Sequence, residues 1–302
     1  MNGQSHVPLA YVSLADRGVI LVSGGDRQAF LQGLVSNDVA RVSPGTAIHA
    51  ALLTPQGKYL HDFFIAETGD AILLDCEGGR IDDLLRRLRI YVLRADVTLK
   101  NAAGELGVVA LFGNGSTKAA GLAATAGAAA AFQGGIAFVD PRLAAAGIRA
   151  ILPRDGIESG LENAGFTAAT AEDYDTLRLG LGLPDASRDM EVEKAILLEN
   201  GFEELNGVDF HKGCFLGQEL TARTKHRGLI KKRLMPVTIE GPCPEADTPI
   251  MLDGAEAGRM RSGRGRIGLA LMRLEYLNKA AGRPFNAGAA RIIPRKPGWA
   301  AV

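Results

Sequence analysis

The stretch KGCFLGQELTARTKHRG, residues 212–228, decides how the fold of this 302-residue chain is interpreted. It places two glycines close to Cys214, and residues 211–233 contain seven Lys and Arg side chains against a single acidic one. Nearby cations favour the thiolate, which is the nucleophilic and metal-binding form of cysteine. The pattern predicts a functional cysteine, and the alternative is a small buried cysteine beside a solvated basic face.

The same stretch predicts its own local structure. Gly217 is expected to form a turn before a helix over residues 218–223, which places Cys214 just upstream of a helix start. His211 and His226 lie three and twelve residues from the cysteine, a spacing without the compactness of zinc patterns. No metal site is therefore predicted.

Downstream of Arg233 the sequence changes to short apolar segments separated by turn residues. The predicted strands are residues 234–240, 249–252, 258–261, 267–273 and 290–293. Short strands at this spacing are typical of a small all-β barrel or sandwich. A domain boundary is therefore predicted near residue 230.

Upstream, the pattern is mixed α+β without regular βαβ alternation. The predicted elements are a strand over 18–23, a helix N-capped by Asp26, an antiparallel meander within 49–76, a helix over 81–91 and a strand over 95–99. Nine of the thirteen residues 119–131 are alanine, which indicates either a surface helix or a small-residue linker.

Composition narrows the class of protein. Hydrophobic residues make up 47% and charged residues 23%, which is typical of a globular chain of two or three domains and excludes a disordered or coiled-coil protein. No apolar run approaches the roughly 18 residues of a membrane span, and residues 1–10 show no secretory signal, so a cytoplasmic location is predicted. Without a CxxC pair, Cys76 and Cys243 are expected to be structural.

The net charge of zero is the sum of unlike segments. Residues 1–152 carry 13 basic and 13 acidic side chains, residues 153–209 carry 4 and 14, and residues 211–302 carry 17 and 7, for net charges of 0, −10 and +10. Two interpretations stay open: the acidic and basic segments dock together, or the basic one is kept for an anionic ligand.

Other functional motifs are weak. Residues 24–33 contain neither a phosphate-binding loop nor a dinucleotide fingerprint, and nothing marks a nucleophile elbow. The basic run lacks interleaved aromatic residues, so single-stranded nucleic acid is an improbable partner.

The cysteine-containing stretch resembles the signature of a known protein family. Residues 212–228 are similar to the signature of the YgfZ-type folate-binding proteins that assist iron–sulfur cluster assembly, K-G-C-(Y/F)-x-G-Q-E followed by an Arg and a Gly. Weaker similarity, in the family's order along the chain, lies in residues 30–33, 37–39, 53–58, 93–97, 177–178 and 182–184. The resemblance therefore covers nearly the whole chain.

The resemblance implies a fold. The family belongs to the superfamily of the glycine-cleavage T-protein, an aminomethyltransferase that binds tetrahydrofolate in the central channel of three domains. We therefore expect an α+β, three-domain, T-protein-like architecture with a central folate channel and a small C-terminal β barrel. Residues 1–230 would form the folate-binding region of two intertwined subdomains, and residues 231–302 the barrel.

Two departures separate this chain from the aminomethyltransferase. Where the T-protein carries two consecutive acids, one of them catalytic, this sequence reads His61-Asp62. The T-protein's pterin-holding acid, within Arg-Leu-Glu-Ala-Gly, is replaced in the run Arg178-Leu179-Gly180. Both changes disfavour aminomethyl transfer, whereas the cysteine motif favours the cluster-assembly branch.

The resemblance also implies site residues. Cys214 would be the reactive thiolate, with Lys212 and Arg223 as cations that favour it or hold the folate tail. Gln218 and Glu219 would orient the loop or the pterin, and Asp62 and Asn37 would line the channel. Phe215 stands where tyrosine is commoner, which removes a hydroxyl.

The function implied is that of a tetrahydrofolate-binding accessory protein for assembly or repair of iron–sulfur enzymes, with radical-type tRNA-modifying enzymes among the clients. Whether it turns over a substrate is left open. The alternatives are a folate-dependent aminomethyl or one-carbon transferase and a basic-patch RNA-binding module.

Overall fold

A computed structural model describes residues 8–228 and 230–300, and the chain divides into two units. Neither unit is continuous in sequence. The first unit comprises Met1–Leu52, His61–Tyr174 and Leu205–Leu216, and the second comprises Leu53–Leu60, Asp175–Glu204 and Gly217–Val302.

Two antiparallel-rich sheets make up most of the first unit. The strands are β1 Ala10–Ser13, β2 Arg17–Ser23, β3 Ile48–Leu53, β4 Tyr59–Thr68, β5 Ala71–Glu77, β6 Thr98–Asn101, β7 Leu106–Phe112, β8 Ala129–Phe132, β9 Gly135–Val139, β10 Ile148–Pro153 and β11 Thr167–Ala168. The two sheets have the orders β11-β1-β7-β10-β9-β8 and β3-β4-β5-β2-β6, so the expected meander is present as adjacent β3, β4 and β5.

The two sheets share one apolar core. Phe64 on β4 and Phe138 on β9 meet in it with their ring centroids 6.0 Å apart, and both are almost fully buried. Because consecutive side chains of a strand point to opposite faces, the six-stranded sheet also carries a second core against helices, around Leu111 and Leu161. The helices of this unit are α1 Arg27–Gln32, α2 Ile81–Arg89, α3 Ser116–Ala119 and α4 Ile157–Asn163.

A closed six-stranded barrel dominates the second unit, as the strand pattern predicts, with the order β12-β15-β14-β13-β16-β17. Its interior is filled by aliphatic side chains and Phe285. The strands are β12 Lys232–Glu240, β13 Pro249–Leu252, β14 Ala255–Arg264, β15 Ile267–Arg273, β16 Phe285–Ala287 and β17 Ala290–Pro294. The remaining helices are α5 Ala171–Leu181, α6 Ala186–Asp189, α7 Gln218–His226 and α8 Leu274–Ala280.

Two local expectations are wrong. Residues 95–97 do not join the sheet, because Asp96 is bound instead to the start of α1: its N–H donates to the carboxylate of Asp26 and its carbonyl accepts the N–H of Asp26. The alanine-rich residues 119–131 form neither a helix nor a linker. Their end pairs with β9 as the strand β8, since sheet pairing outweighs the helix propensity of alanine.

The acidic and basic segments are joined within the second unit, which supports the first interpretation of the charge pattern. Among the described residues, four ion pairs connect them: Lys225–Glu203 at 2.6 Å, Arg264–Asp175 at 3.3 Å, Arg261–Glu191 at 3.8 Å, and Arg233–Glu204.

Among residues 8–228 and 230–300, no helix is both long and apolar enough to cross a membrane.

Candidate functional site

Cys214 lies on a loop of the first unit and its side chain is exposed. Gly213 before it has a φ of +92°, a left-handed conformation that favours glycine and turns the chain at this point. Two residues after Cys214, the N–H of Leu216 donates to the carbonyl of Gly33 at 3.2 Å. The thiol is therefore presented to solvent by a loop that is fixed on its downstream side.

Lys212 fixes the upstream side of the same loop. Its Nζ donates to the carbonyl oxygens of Gln32 at 2.7 Å and Val35 at 2.6 Å, at and just beyond the C-terminal end of α1, where orphan carbonyls favour a cation. Burial lowers the pKa of Lys212 to about 8, against the opposing effects of Asp38 and Asp209. The ammonium of Lys212 is thus hydrogen-bonded to backbone carbonyls at the end of α1. That it favours the thiolate of Cys214 stays a prediction.

The segment before this loop is attached to residues 36–38. Ser36 Oγ donates to the carbonyl of Gly207 at 2.6 Å, and Asn37 Nδ2 donates to the carbonyls of Asn206 and His49, both at 2.7 Å. Both amide hydrogens of Asn37 are therefore used by the protein itself, so this residue positions the loop region.

Asp62 is buried in the first unit beside the same histidine. Its Oδ2 lies 3.0 Å from His49 Nε2, and burial lowers the pKa of His49, which favours the neutral imidazole. The structure therefore brings the predicted residues Asn37 and Asp62 together through His49, a residue that sequence reasoning missed.

Three arginines surround the ring of Phe64 in the same interior. The guanidinium carbons of Arg149, Arg142 and Arg17 lie 4.2, 4.9 and 5.9 Å from the ring centroid. Asp75 is fully buried and accepts hydrogen bonds from Arg17 Nε and Arg149 Nε, both at 2.7 Å.

Arg149 also has a buried hydrogen-bond donor that could contact a ligand. Its Nη2 is buried and has no hydrogen-bond partner among the described residues. A buried donor without a partner costs free energy, so this atom is a natural contact for an acceptor on a ligand. No sequence signal reveals this arginine cluster, because Arg17 and Asp75 stand far along the chain from Arg142 and Arg149.

The predicted residues of helix α7 belong to the second unit. The helix begins at Gln218, directly after Gly217 with φ +80°, as the sequence predicts. Glu219 and Arg223 are exposed and pair with each other at 2.6 Å across one helical turn.

The glycines of two family-like segments meet within the second unit. A Cβ on Gly57 would lie 2.8 Å from the carbonyl oxygen of Gly217, and a Cβ on Gly217 would lie 2.4 Å from that of Thr54. Only glycine permits such a close approach, so the turn over residues 53–58 is fixed against the start of α7.

The departures from the transferase pattern have structural roles here. His61 Nε2 lies 2.9 Å from Asp83 Oδ2 on α2, and burial lowers the pKa of His61 to about 4. In the second unit, Arg178 donates to Asp175 and Asp189, both at 2.7 Å, so it supports α5 and α6.

The other cysteines differ from Cys214. Cys76 is buried, and its burial raises its pKa to about 12, whereas Cys243 is exposed and partial desolvation raises its pKa. In the described part of the chain, no group of three or more His, Cys, Asp or Glu side chains is placed to hold a metal ion, and His211 and His226 fall in different units.

A protein of known structure identifies the fold class of this chain. The chain superposes on the crystal structure of the glycine cleavage system aminomethyltransferase T from Bartonella henselae with a TM-score of 0.80, over 98% of this chain and 87% of that one, at 14% identity. The expected T-protein-like α+β fold is thereby confirmed. Residues 231–302 match the family model of the CAF17 C-terminal β-barrel domain.

Sequence relatives narrow the class to one family. The chain is 34% identical to the mouse iron–sulfur cluster assembly factor IBA57, with 87% of this chain and 77% of that protein covered. The human protein is also 34% identical, over 86% and 76%, and the Coccidioides immitis homolog is 31% identical, over 88% and 72%. The chain belongs to the IBA57 family of iron–sulfur cluster assembly factors.

These relatives correct one expectation. Each of the three is named as a mitochondrial protein, so the predicted cytoplasmic location is wrong. The prediction relied on the absence of a signal in the first ten residues, and such an absence does not determine a compartment.

Proposed function

We propose that this chain supports the assembly or repair of iron–sulfur enzymes through the exposed thiol of Cys214. The observation that carries the proposal is the geometry of the loop: Lys212 fixes it to the end of α1 on one side and Leu216 to Gly33 on the other. Between these anchors the structure displays a cysteine, a side chain usually buried. Membership of the IBA57 family supports the iron–sulfur role.

Cysteine chemistry fits this role. The thiolate is both a nucleophile and a ligand of iron in iron–sulfur clusters, so an exposed thiol can act directly on a client protein. Iron–sulfur enzymes are the proposed clients, with radical-type tRNA-modifying enzymes among them.

We further propose that the first unit binds a reduced folate. Its buried interior offers the carboxylate of Asp62 as an acceptor and Nη2 of Arg149 as a donor, and a pterin edge presents both kinds of group. The residues present therefore fit the ligand, which supplies one-carbon or reducing chemistry when bound. Asp62 and Arg149 would bind and orient it, while Asn37 holds the adjoining segment in place.

For the predicted ligand contacts on helix α7, only a limited role is proposed. Arg223 and Glu219 already neutralise each other on an exposed helix surface. A contact to the folate tail would therefore replace one ion pair by another, with little net gain. Gln218 at the helix start stays a proposed contact for the loop or the pterin.

Folate binding is tested by calorimetry with tetrahydrofolate on the full chain. At a hundredfold excess over the dissociation constant, the ligand should stabilise the fold by about 2.7 kcal/mol. Asp62→Asn should weaken binding, whereas Cys214→Ala should leave it nearly unchanged. A melting temperature that does not respond to millimolar tetrahydrofolate would remove the folate proposal.

The thiol is tested separately in cells that lack their own copy of the factor. Cys214→Ala and Cys214→Ser should fold and accumulate normally yet fail to restore iron–sulfur enzyme activity, while the matched variant Cys243→Ser should restore it. Full restoration by Cys214→Ala at normal abundance would refute the role of the thiol. Methylene transfer from an aminomethyl donor would instead support the transferase, and salt-sensitive RNA affinity the RNA-binding module.

A further inference from the structure

The second unit contains a pocket of about 240 Å³ beside the barrel. Residues from 189–200 line one part of it, and strands β12, β14 and β15 line the rest. Its lining is mostly charged and polar, which suits a small ligand with an anionic group, such as a phosphate ester or a short dicarboxylate.

Most acidic side chains in the lining already have cationic partners. Asp189 accepts a hydrogen bond from Arg178 Nη1 at 2.7 Å. Glu256 accepts from Arg259 Nε at 3.0 Å and from its Nη2 at 2.9 Å, and Glu191 pairs with Lys194. These carboxylates are therefore already paired with cations, and Glu191 also lies 3.8 Å from Arg261.

Two cations of the lining remain without an ion pair to any described residue. Lys232 on β12 and Arg273 on β15 are half-buried and stand directly opposite each other in the antiparallel register. Like charges opposite each other across a strand pair are destabilising. Glu199 also lies close to Lys232: burial raises the pKa of Glu199, and the charge of Lys232 acts in the opposite direction.

A third cation contributes an unused donor. Arg261 lines the same pocket, is only 9% exposed, and its buried Nε has no hydrogen-bond partner among the described residues. Its Nη1 is held by Asp247, so the guanidinium is already oriented. An oriented guanidinium loses little side-chain entropy when it binds an anion.

We propose that this pocket binds a small metabolite through an anionic group, carboxylate or phosphate, held between Lys232 and Arg273. The anion separates the two opposed cations, and the donor of Arg261 adds recognition. This site is distinct from the proposed folate region, because every residue that forms it belongs to the second unit.

The test uses the full chain in a low-salt buffer, with inorganic phosphate and glutarate titrated separately by calorimetry and thermal melting. Sodium chloride at matched ionic strength controls for screening. The variants are Lys232→Gln and Arg273→Gln, and Arg291→Gln on β17 is the matched control, because it removes an exposed barrel cation outside the pocket.

We expect saturable binding of at least one of the two anions, and the response to each identifies whether phosphate or carboxylate is preferred. Each pocket variant should weaken binding by about tenfold or more, since each removes a charge-assisted hydrogen bond to the anion, while Arg291→Gln should not. Without any anion, Arg273→Gln should melt at a higher temperature than the wild type, because the repulsion between Arg273 and Lys232 is relieved. Absence of saturable binding, or binding unaffected by both pocket variants, would overturn the proposal.

Discussion

His61 is a buried histidine at the first position where this chain departs from the transferase pattern. Its replacement tests how the burial of this side chain makes the stability of the fold depend on pH. Its ring is 2% exposed, and its pKa is lowered from 6.5 to about 4, mainly by burial and further by Arg80, although Asp83 opposes the shift. Between these two values the unfolded chain binds a proton that the folded chain does not. Stability must therefore fall as the pH falls through this window.

The size of the effect follows from the two pKa values. Between pH 7 and pH 5, proton uptake by His61 in the unfolded state should cost about 2 kcal/mol of the free energy of unfolding. The variant His61→Gln keeps a donor for Asp83 but does not titrate. It should therefore lose about 2 kcal/mol less than the wild type over the same interval.

The measurement is urea denaturation followed by circular dichroism at pH 7 and pH 5. His211→Gln, which changes an exposed histidine, is the matched control and should show the wild-type loss. Because Asp83 has a lowered pKa, it stays ionised between pH 7 and pH 5 and does not contribute to the loss of stability over that interval. If His61→Gln and the wild type lose the same stability, the buried-histidine account is wrong.

Three further predictions follow from single side chains. Cys214 should be alkylated at neutral pH faster than the other two cysteines, since one of those is buried and both have raised pKa values; equal rates by mass spectrometry would contradict this. Asp75→Asn should cost about 3–5 kcal/mol in urea denaturation, because it leaves two buried arginines without their carboxylate, and a loss below about 1 kcal/mol would be incompatible with the contacts seen. Gly57→Ala should destabilise by more than Gly69→Ala, since both have positive φ but only the first Cβ would meet backbone; similar melting temperatures would count against the close approach.

The barrel was predictable because its information is local. The strands over 249–252 and 267–273 have the predicted bounds, since alternating apolar residues and turn signals stand within each segment. The three-residue strand Phe285–Ala287 is too short for any such pattern and is absent from the sequence-based prediction.

Contacts between distant segments could not be predicted in the same way. The segment 95–97 has strand-like residues, yet its backbone is bound by Asp26, about 70 residues earlier. The interior arginines around Phe64 are similar: nothing near Arg142 or Arg149 in sequence marks either as buried. Only the folded chain brings Arg149 to Asp75, 74 residues earlier, whereas Arg142 pairs with Asp140 two residues before it. These carboxylates make the burial of both arginines tolerable.

Lys212 shows how a predicted site residue can have a physical role that its motif does not imply. The sequence places a cation two residues before Cys214, and proximity alone predicts that it favours the thiolate. In the structure its Nζ is held by two backbone carbonyls at the end of α1. Its definite contribution is therefore to position the loop that carries the cysteine.

The interior and the loop of the first unit show how this chain has a transferase-like fold without the transferase pattern. At the position of the first of the two consecutive acids, His61 is turned to Asp83 and ties β4 to α2, so it adds no charge to the buried interior. Asp62 remains inside, paired with His49, and can still bind a ligand. The exposed Cys214, which is the proposed reactive group, lies on a loop held by the neighbouring backbone. This separation of a binding interior from an external thiol supports the proposal that folate and client protein meet different parts of the same unit.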